Sequence, residues 1–503
     1  MDLKSGIAIN DIADNGMLAG KVDDEDVVLV RRGKEIFAVG ASCTHYHGPL
    51  AEGIVSGDSI HCPWHHACFD LRTGAPSAPA LNPIPVWKVE QRDGRVFVTT
   101  KRDIPPPPAA KTDVKSVGII GAGPSGNAAA ELLRREGFAG TITMIGAEET
   151  VPVDRPNLSK EYLAGTAPEE WMPLRDADFY RTQNIEILSG RRVSQLVSKT
   201  KTLTLDDGSK RDFDAILIAT GSEPVRLSPP GANRVHTLRT LRDSRAIIAE
   251  AETGKRAIVI GASFIGLEVA ASLRAREVDV TVVAPDDVPL KKVMGVEVGA
   301  FIRRLHESHG VRFRLGTTVA TFEGDRVILA TGEPLAADFV VAGVGVRPNT
   351  QLAQAAGLTV DNGVVVDEFL QTSAPGIFAA GDIAHYPDRF TGQKIRVEHW
   401  VAAGRQGQTA ARNILGCKTP HTAPPFFWSA HYDVTIAYVG NAAGFDRVEI
   451  RGSLDEHRAL AAYHAGTRIV AVAAIGLDRE SLLIEQAMEA GDDAGVAKIV
   501  AGV

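Results

Sequence analysis

Two cysteines and two histidines stand in a pattern that can hold metal. Cys43-Thr44-His45 is followed, after 16 intervening residues, by Cys62-Pro63-Trp64-His65. Each half offers one thiolate and one imidazole. A tetrahedral zinc accepts two of each. So does a two-iron cluster, with both thiolates on one iron and two neutral imidazoles on the other. Zinc fingers usually keep the two cysteines together and then the two histidines, whereas this chain alternates them. His47, His61 and His66 read as surface or outer residues, because the four-residue set is complete without them. Cys68 reads as a small buried residue, and Cys417 as structural.

Glycines mark a second kind of site. Gly121-Ala122-Gly123-Pro124-Ser125-Gly126 follows an apolar strand and opens a helix, so backbone N–H groups can approach a pyrophosphate. The next strand, Thr141 to Ile145, ends at Gly146-Ala147-Glu148-Glu149, and Glu148 is the carboxylate placed to bond ribose hydroxyls. Gly261-Ala262-Ser263-Phe264-Ile265-Gly266 repeats the pattern with Ser263 at the middle glycine. The strand after it, Val278 to Val283, leads to Asp286, 20 residues past Gly266 and at the distance of a ribose-binding acid. That acid favours NADH, while Lys291 and Lys292 leave room for the 2′-phosphate of NADPH.

The elements that must position these residues change character along the chain. Residues 1–103 read as short strands and turns, such as Val27–Val30 and Ile36–Val39 split by Arg31-Arg32-Gly33-Lys34, and so as a small all-β domain. Residues 104–113 hold four consecutive prolines, which favour an extended spacer. From Val114 the pattern turns to β-α-β, and it returns near residue 256. The chain thus divides into two dinucleotide-binding units and an α+β unit over 421–503. A single core does not grow to 503 residues, and three or four domains of ~100–150 residues each are expected.

Further segments complete a pattern. Val153-Asp154-Arg155-Pro156-Asn157-Leu158-Ser159-Lys160 follows the first glycine unit. Ile218-Ala219-Thr220-Gly221, Gly343-Val344-Gly345-Val346-Arg347-Pro348, Ile377-Phe378-Ala379-Ala380-Gly381-Asp382 and Glu398-His399-Trp400 come later. With CTHYHGPL and CPWHHACFD, the whole chain resembles the apoptosis-inducing-factor-like flavoproteins and oxygenase-type ferredoxin reductases, fused to an N-terminal Rieske domain. The resemblance implies Cys43 and Cys62 on one iron of a [2Fe-2S] cluster, and His45 and His65 on the other. No cysteine pair stands in the two loops for the disulfide of high-potential Rieske proteins, which implies the ferredoxin-type branch. The resemblance also implies an FAD unit over 114–240 and 366–420 and an NAD(P) unit over 241–365. Gly121, Gly123, Gly126 and Glu148 would hold the adenosine half of FAD, and Gly261, Gly266 and Asp286 the nicotinamide nucleotide. Arg155 and Lys160 would sit beside the flavin, Asp382 would bond its ribityl chain, and Trp400 would pack near its ring. Val153 replaces the aromatic usual at its position. Lys160 and Glu268, the latter in the first turn of the second glycine helix, would meet as an ion pair at the flavin.

The activity implied is an FAD-dependent NAD(P)H oxidoreductase that sends electrons through the cluster to a redox-protein acceptor. Two rivals are a redox-sensing interaction protein and an electron donor to a nitrite-reducing partner. Thiol chemistry of the glutathione-reductase kind lacks its C-x-x-C pair. A net charge of 54 − 62 = −8 argues against nucleic acid and anionic membranes as partners. Four cysteines, no apolar leader in MDLKSGIAIN and no long apolar run point to a cytoplasmic protein with no membrane span.

Overall fold

The computed structural model describes residues 1–503. The N-terminal unit is all-β. Its six-stranded antiparallel sheet runs, in spatial order, Ile7–Ala8, Arg95–Lys101, Val86–Arg92, Glu35–Gly40, Glu25–Arg32 and Met17–Val22. A three-stranded sheet, Ile54–Ser56, Ser59–His61 and Cys68–Asp70, carries one metal loop at its end. Alternating apolar positions such as Val28 and Val30 pack with Cys43 and Cys62 in one core, so the two cysteines grow from a rigid base.

Two parallel five-stranded sheets follow. The first orders Ile185–Ser189, Thr141–Gly146, Ser116–Ile120, Ala215–Ile218 and Ile377–Ala379. The second orders His236–Thr237, Phe339–Ala342, Arg256–Ile260, Asp279–Ala284 and Arg312–Leu315. Their central strands are apolar runs because both faces are covered, by helices on one side and by the small three-stranded sheets of residues 193–212 and 319–336 on the other. His236–Thr237 pairs in the second sheet, and Ala353, Leu358 and Val364 lie in the core of the first. The crossings between the two units therefore fall before His236 and soon after Pro348, each earlier in the chain than the expected boundaries at 240 and 365. The C-terminal unit is an antiparallel sheet, Phe426–His431, Val434–Gly440, Arg468–Ile475, Arg458–Ala465 and Arg447–Ser453, backed by the helices Asp478–Ala490 and Asp493–Ala501. No helix is long and apolar enough to cross a membrane.

The proline segment has no regular structure, and it is tied down at its end: Ala110 N–H donates to Gly137 O at 3.0 Å. The N-terminal unit packs on the other units through buried polar contacts. His66 is fully buried, not a surface residue. Its Nδ1 lies 2.8 Å from Glu485 Oε2, and its ring stacks on Phe426 with centroids 3.8 Å apart. Arg405 pairs with the same carboxylate and donates to His66 O at 2.9 Å. Burial alone would raise the Glu485 carboxyl, but Arg405 and then His66 overcome it and hold the carboxyl well below the ordinary range.

This shared carboxylate sets a stability prediction. Glu485→Ala strands Arg405 in a buried site and should destabilise the protein by about 3–5 kcal/mol, read by chemical or thermal unfolding. Because the folded value is depressed, the wild-type contribution is complete above the ordinary carboxyl pKa of about 4.3 and is lost as pH falls below it toward the folded value. Equal acid sensitivity in wild type and variant would refute the assignment.

Candidate functional site

The two metal-type loops are built alike. Cys43 N–H donates to Gly48 O at 2.9 Å, and Cys62 N–H donates to Ala67 O at 2.8 Å. Four residues after each cysteine stands a histidine in the left-handed region, His47 at φ 61° and His66 at φ 57°. Each loop thus turns back on itself at the same point and aims its two ligand-type side chains inward. His45 Nδ1 and His65 Nδ1 face each other at 3.2 Å, and the Cys43 and Cys62 thiols are within hydrogen-bonding reach of one another. The sulfurs pair with each other and the ring nitrogens pair with each other, as the two irons of a Rieske cluster require. Burial pushes His45 down to about 3 and His65 well below its usual value, so both imidazoles are in the neutral, ligating form. A Cβ on Gly48 would stand 2.6 Å from Cys62 Sγ, so only glycine fits there. Cys68 is half-buried and Cys417 exposed, which corrects the buried and structural roles expected of them.

The residue after His45 anchors its loop. Tyr46 O–H donates to Asp154 Oδ2 at 2.6 Å, and Asn157 Nδ2 donates to the Tyr46 hydroxyl at 3.1 Å. Asp154 and Asn157 belong to the Val153–Lys160 segment that carries Arg155 and Lys160, the residues expected at the flavin. On the other side, the Trp428 ring lies 4.2 Å from the His65 ring and 6.0 Å from the His45 ring, centroid to centroid. The aromatic run Phe426-Phe427-Trp428 is therefore both core and site lining.

The first glycine turn has the form of a phosphate cradle. Gly121 has φ 115°, and a Cβ there would meet Ala219 O at 2.1 Å. A Cβ on Gly126 would meet Gly121 O at 2.0 Å. Gly123 precedes the helix Pro124–Arg135, whose N-terminus has no side-chain cap. Asp382 Oδ2 accepts from Ser222 and from Arg239, each at 2.7 Å, while its Oδ1 makes no bond within the protein. Ser125 Oγ, Arg239 Nε and His399 Nδ1 are buried without partners. Free N–H groups, an open carboxylate oxygen and orphaned polar atoms in one place fit a dinucleotide such as FAD.

Arg155, expected beside the flavin, lies against Gly123 and pairs with Glu148 at 2.6 Å. Trp400 opens the helix Trp400–Ile414 and, with His45, Tyr46 and Asp154, lines a cavity of about 490 Å³. Lys160 Nζ lies 2.8 Å from Glu268 Oε2. Ser159 Oγ donates to the same oxygen, and Ser429 Oγ to Oε1, each at 2.6 Å. The helix bearing Glu268 starts at Phe264, so this residue stands in its second turn, not its first.

The second glycine turn is built like the first. Gly261 has φ 108°, and a Cβ on Gly266 would meet Gly261 O at 2.1 Å. Ser263 takes the middle position because its hydroxyl donates to Gly343 O at 2.7 Å, away from the turn's open side. Asp286 stands two residues past its strand and pairs with Lys292 at 3.0 Å; Lys291 pairs with Asp287. Tyr46, Glu485, Arg239 and Ser429 had no signal in the sequence, since each acts through a residue far away in the chain.

Comparison with known proteins agrees with this geometry. Residues 115–407 match the family described as pyridine nucleotide-disulphide oxidoreductase, residues 6–88 the Rieske [2Fe-2S] domain, and residues 426–501 the reductase C-terminal domain. The chain is 33% identical to apoptosis-inducing factor 3 of Homo sapiens over 476 residues, 90% of this chain and 78% of that protein. It is 37% identical to putidaredoxin reductase CamA of Pseudomonas putida over 369 residues, 71% of this chain and 87% of that one. Among solved structures, the covalent putidaredoxin reductase–putidaredoxin complex superposes with a TM-score of 0.73 at 35% identity, covering 78% of this chain and 99% of that one.

The close approach at Gly48 generates a prediction. Gly48→Ala should lower iron content several-fold by colorimetric assay while flavin absorbance stays at the wild-type level, because the two sites are built on separate sheets. Full iron occupancy in this variant would refute the role given to Gly48.

Proposed function

The chain belongs to the pyridine nucleotide-disulphide oxidoreductase family, as a flavin-dependent, ferredoxin–NAD reductase-type enzyme with a Rieske domain, and we propose that it carries electrons from NADH to its own cluster and on to a one-electron acceptor protein. The observation that supports this reading is a single strand, Phe426–His431. Its Trp428 packs on the ring of His65, while the next residue, Ser429, bonds Glu268, the partner of Lys160. The proposed cluster ligands and the proposed flavin-side ion pair are thus held against opposite faces of one element.

Bound FAD would supply hydride acceptance and its division into single electrons, chemistry that belongs to the cofactor. The chain's own work is positioning and charge. Gly121, Gly123 and Gly126 would admit the pyrophosphate, with Glu148 and Arg155 at the adenosine end. Asp382 would orient the ribityl hydroxyls through Oδ1, and Trp400 would close one side against water. Lys160, aligned by Glu268, would place positive charge where negative charge builds during hydride arrival. Cys43, Cys62, His45 and His65 would hold the cluster. Gly261, Gly266 and Asp286 would seat NADH, with Asp286 opposing a 2′-phosphate. The acceptor would be a small redox protein or a terminal oxygenase component.

Anaerobic titration with NADH, followed by absorbance and EPR, should bleach the flavin and develop a Rieske signal from the same protein. Bleaching without the signal would overturn the cluster's place in the route. Lys160→Ala should retain FAD yet slow its reduction by NADH about tenfold for each ~1.4 kcal/mol of stabilisation lost. Asp286→Ala should narrow the preference for NADH; a wild-type protein that favours NADPH tenfold, roughly 1.4 kcal/mol, would remove Asp286 from this role.

A further inference from the structure

One row of buried polar groups holds no cofactor and leads away from Glu268. Ser429 Oγ lies 2.6 Å from Glu268 Oε1 and 3.1 Å from His431 Nε2. His431 Nδ1 is 3.2 Å from His306 Nε2, and His306 Nδ1 is 3.2 Å from the Tyr432 hydroxyl. Glu268, Ser429, His431 and His306 are buried. Tyr432 is half-buried, and its ring stacks on exposed His309 with centroids 3.6 Å apart. The row runs unbroken from the Lys160 ion pair to the edge of the protein.

Its hydrogen positions follow from one constraint. An ionised carboxylate only accepts, so Ser429 must donate to it. The Ser429 oxygen must then accept from His431 Nε2–H. Burial pushes His431 down to about 3 and His306 well below its usual value, so each ring is neutral and carries one hydrogen. His431 Nδ1 therefore accepts from His306 Nε2–H, and His306 Nδ1 accepts from the Tyr432 hydroxyl. Every donor points toward Glu268, and both rings carry hydrogen on Nε2.

We propose that this row conducts to solvent the proton that each NADH oxidation leaves at the Lys160–Glu268 site. The inference rests on the function proposed above. NADH and two oxidised one-electron acceptors yield NAD⁺, one proton and two reduced acceptors. The electrons leave singly and without that proton, which needs its own way out. With Glu268 protonated, the row points the other way and each ring carries hydrogen on Nδ1. The Glu268 proton then passes to Ser429, which gives its own to His431 Nε2. His431 Nδ1–H passes to His306 Nε2, and His306 Nδ1–H passes to Tyr432, which releases one proton to water. The orientation that an ionised Glu268 imposes is the one left behind when the proton has gone. The row resets when each ring gives up its hydrogen on Nε2 and takes one up on Nδ1 by proton exchange, and the hydroxyls turn.

Two measurements test this on the intact holoprotein. ¹⁵N-histidine NMR of the oxidised protein should find His431 and His306 neutral and protonated on Nε2; hydrogen on Nδ1 of either would overturn the proposal. Stopped flow with a pH-indicator dye should then follow NADH-reduced protein reoxidised by ferricyanide. His306→Phe breaks the row, and Tyr432→Phe removes only its outer hydroxyl while keeping the stack on His309. Both should slow reoxidation and proton release about tenfold or more, with a smaller effect on flavin bleaching by NADH. Wild-type rates of proton release in Tyr432→Phe and, where it folds, in His306→Phe would overturn the relay and leave the proposed function standing. A wild-type flavin that NADH does not bleach would remove that function and the relay with it.

Discussion

The arrangement of the site depends on the two-residue period of one strand. Along Phe426–His431, even positions face the N-terminal unit: Phe426 stacks on His66 and Trp428 on His65. Odd positions face the nicotinamide unit: Phe427 meets Phe264, Ser429 meets Glu268 and His431 meets His306. A slip of one residue would exchange the two sets and break both contacts. The register is pinned by pairing with Val434–Gly440, from Phe426 opposite Val439 to His431 opposite Val434. This strand is also the edge of its sheet. Edges invite unwanted pairing, and here neighbouring domains cover it.

Buried carboxylates occupy the seams between units, each shared by at least two donors, Asp154 with Tyr46 and Asn157 among them. Glu268 serves Lys160, Ser159 and Ser429; Glu485 serves His66 and Arg405; Asp382 serves Ser222 and Arg239. A buried ion pair contributes little net stability against an apolar substitute, but breaking one partner is expensive. Such contacts therefore discriminate strongly among ways of docking the units. Apolar surface alone would let the cluster loops settle in several orientations, whereas Tyr46 on Asp154 and His66 on Glu485 admit one.

What the sequence discloses follows from how local each signal is. The glycine turns and the Cys-x-His and Cys-x-x-His pairs lie within a few residues, so their geometry is nearly dictated by the chain itself. The two parallel sheets follow from apolar runs followed by helices. The pairing of Lys160 with Glu268, 108 positions apart, comes from the family resemblance and from no local signal. The contact between His66 and Glu485 spans 419 positions, and nothing near either residue announces the other. His66 therefore reads as a bystander until the docked surface is seen. The motif of Arg155 is readable, but its contact with Glu148 is not, because the side chain reaches back across a turn whose path the sequence does not specify. The unit boundaries shifted for a related reason, since His236–Thr237 is too short to read as a strand and exists only by pairing with Phe339–Ala342.

The chemical difference between the two faces of the central strand matches what each would carry in the proposed function and relay. Electrons cross gaps between centres that are merely close, so a face of packed aromatic rings, Phe426 and Trp428, suffices. Protons move only along contacts of hydrogen-bond length, and one gap stops them. A face that passes protons must therefore be polar at each step, and Ser429 and His431 are the odd-numbered residues that make it so. Placing both faces on one strand keeps the two routes adjacent where they begin. An electron that leaves a low-dielectric interior while its proton stays would leave an uncompensated charge there, and such a charge is strongly unfavourable. Routes that start a residue apart let both departures relieve the same site.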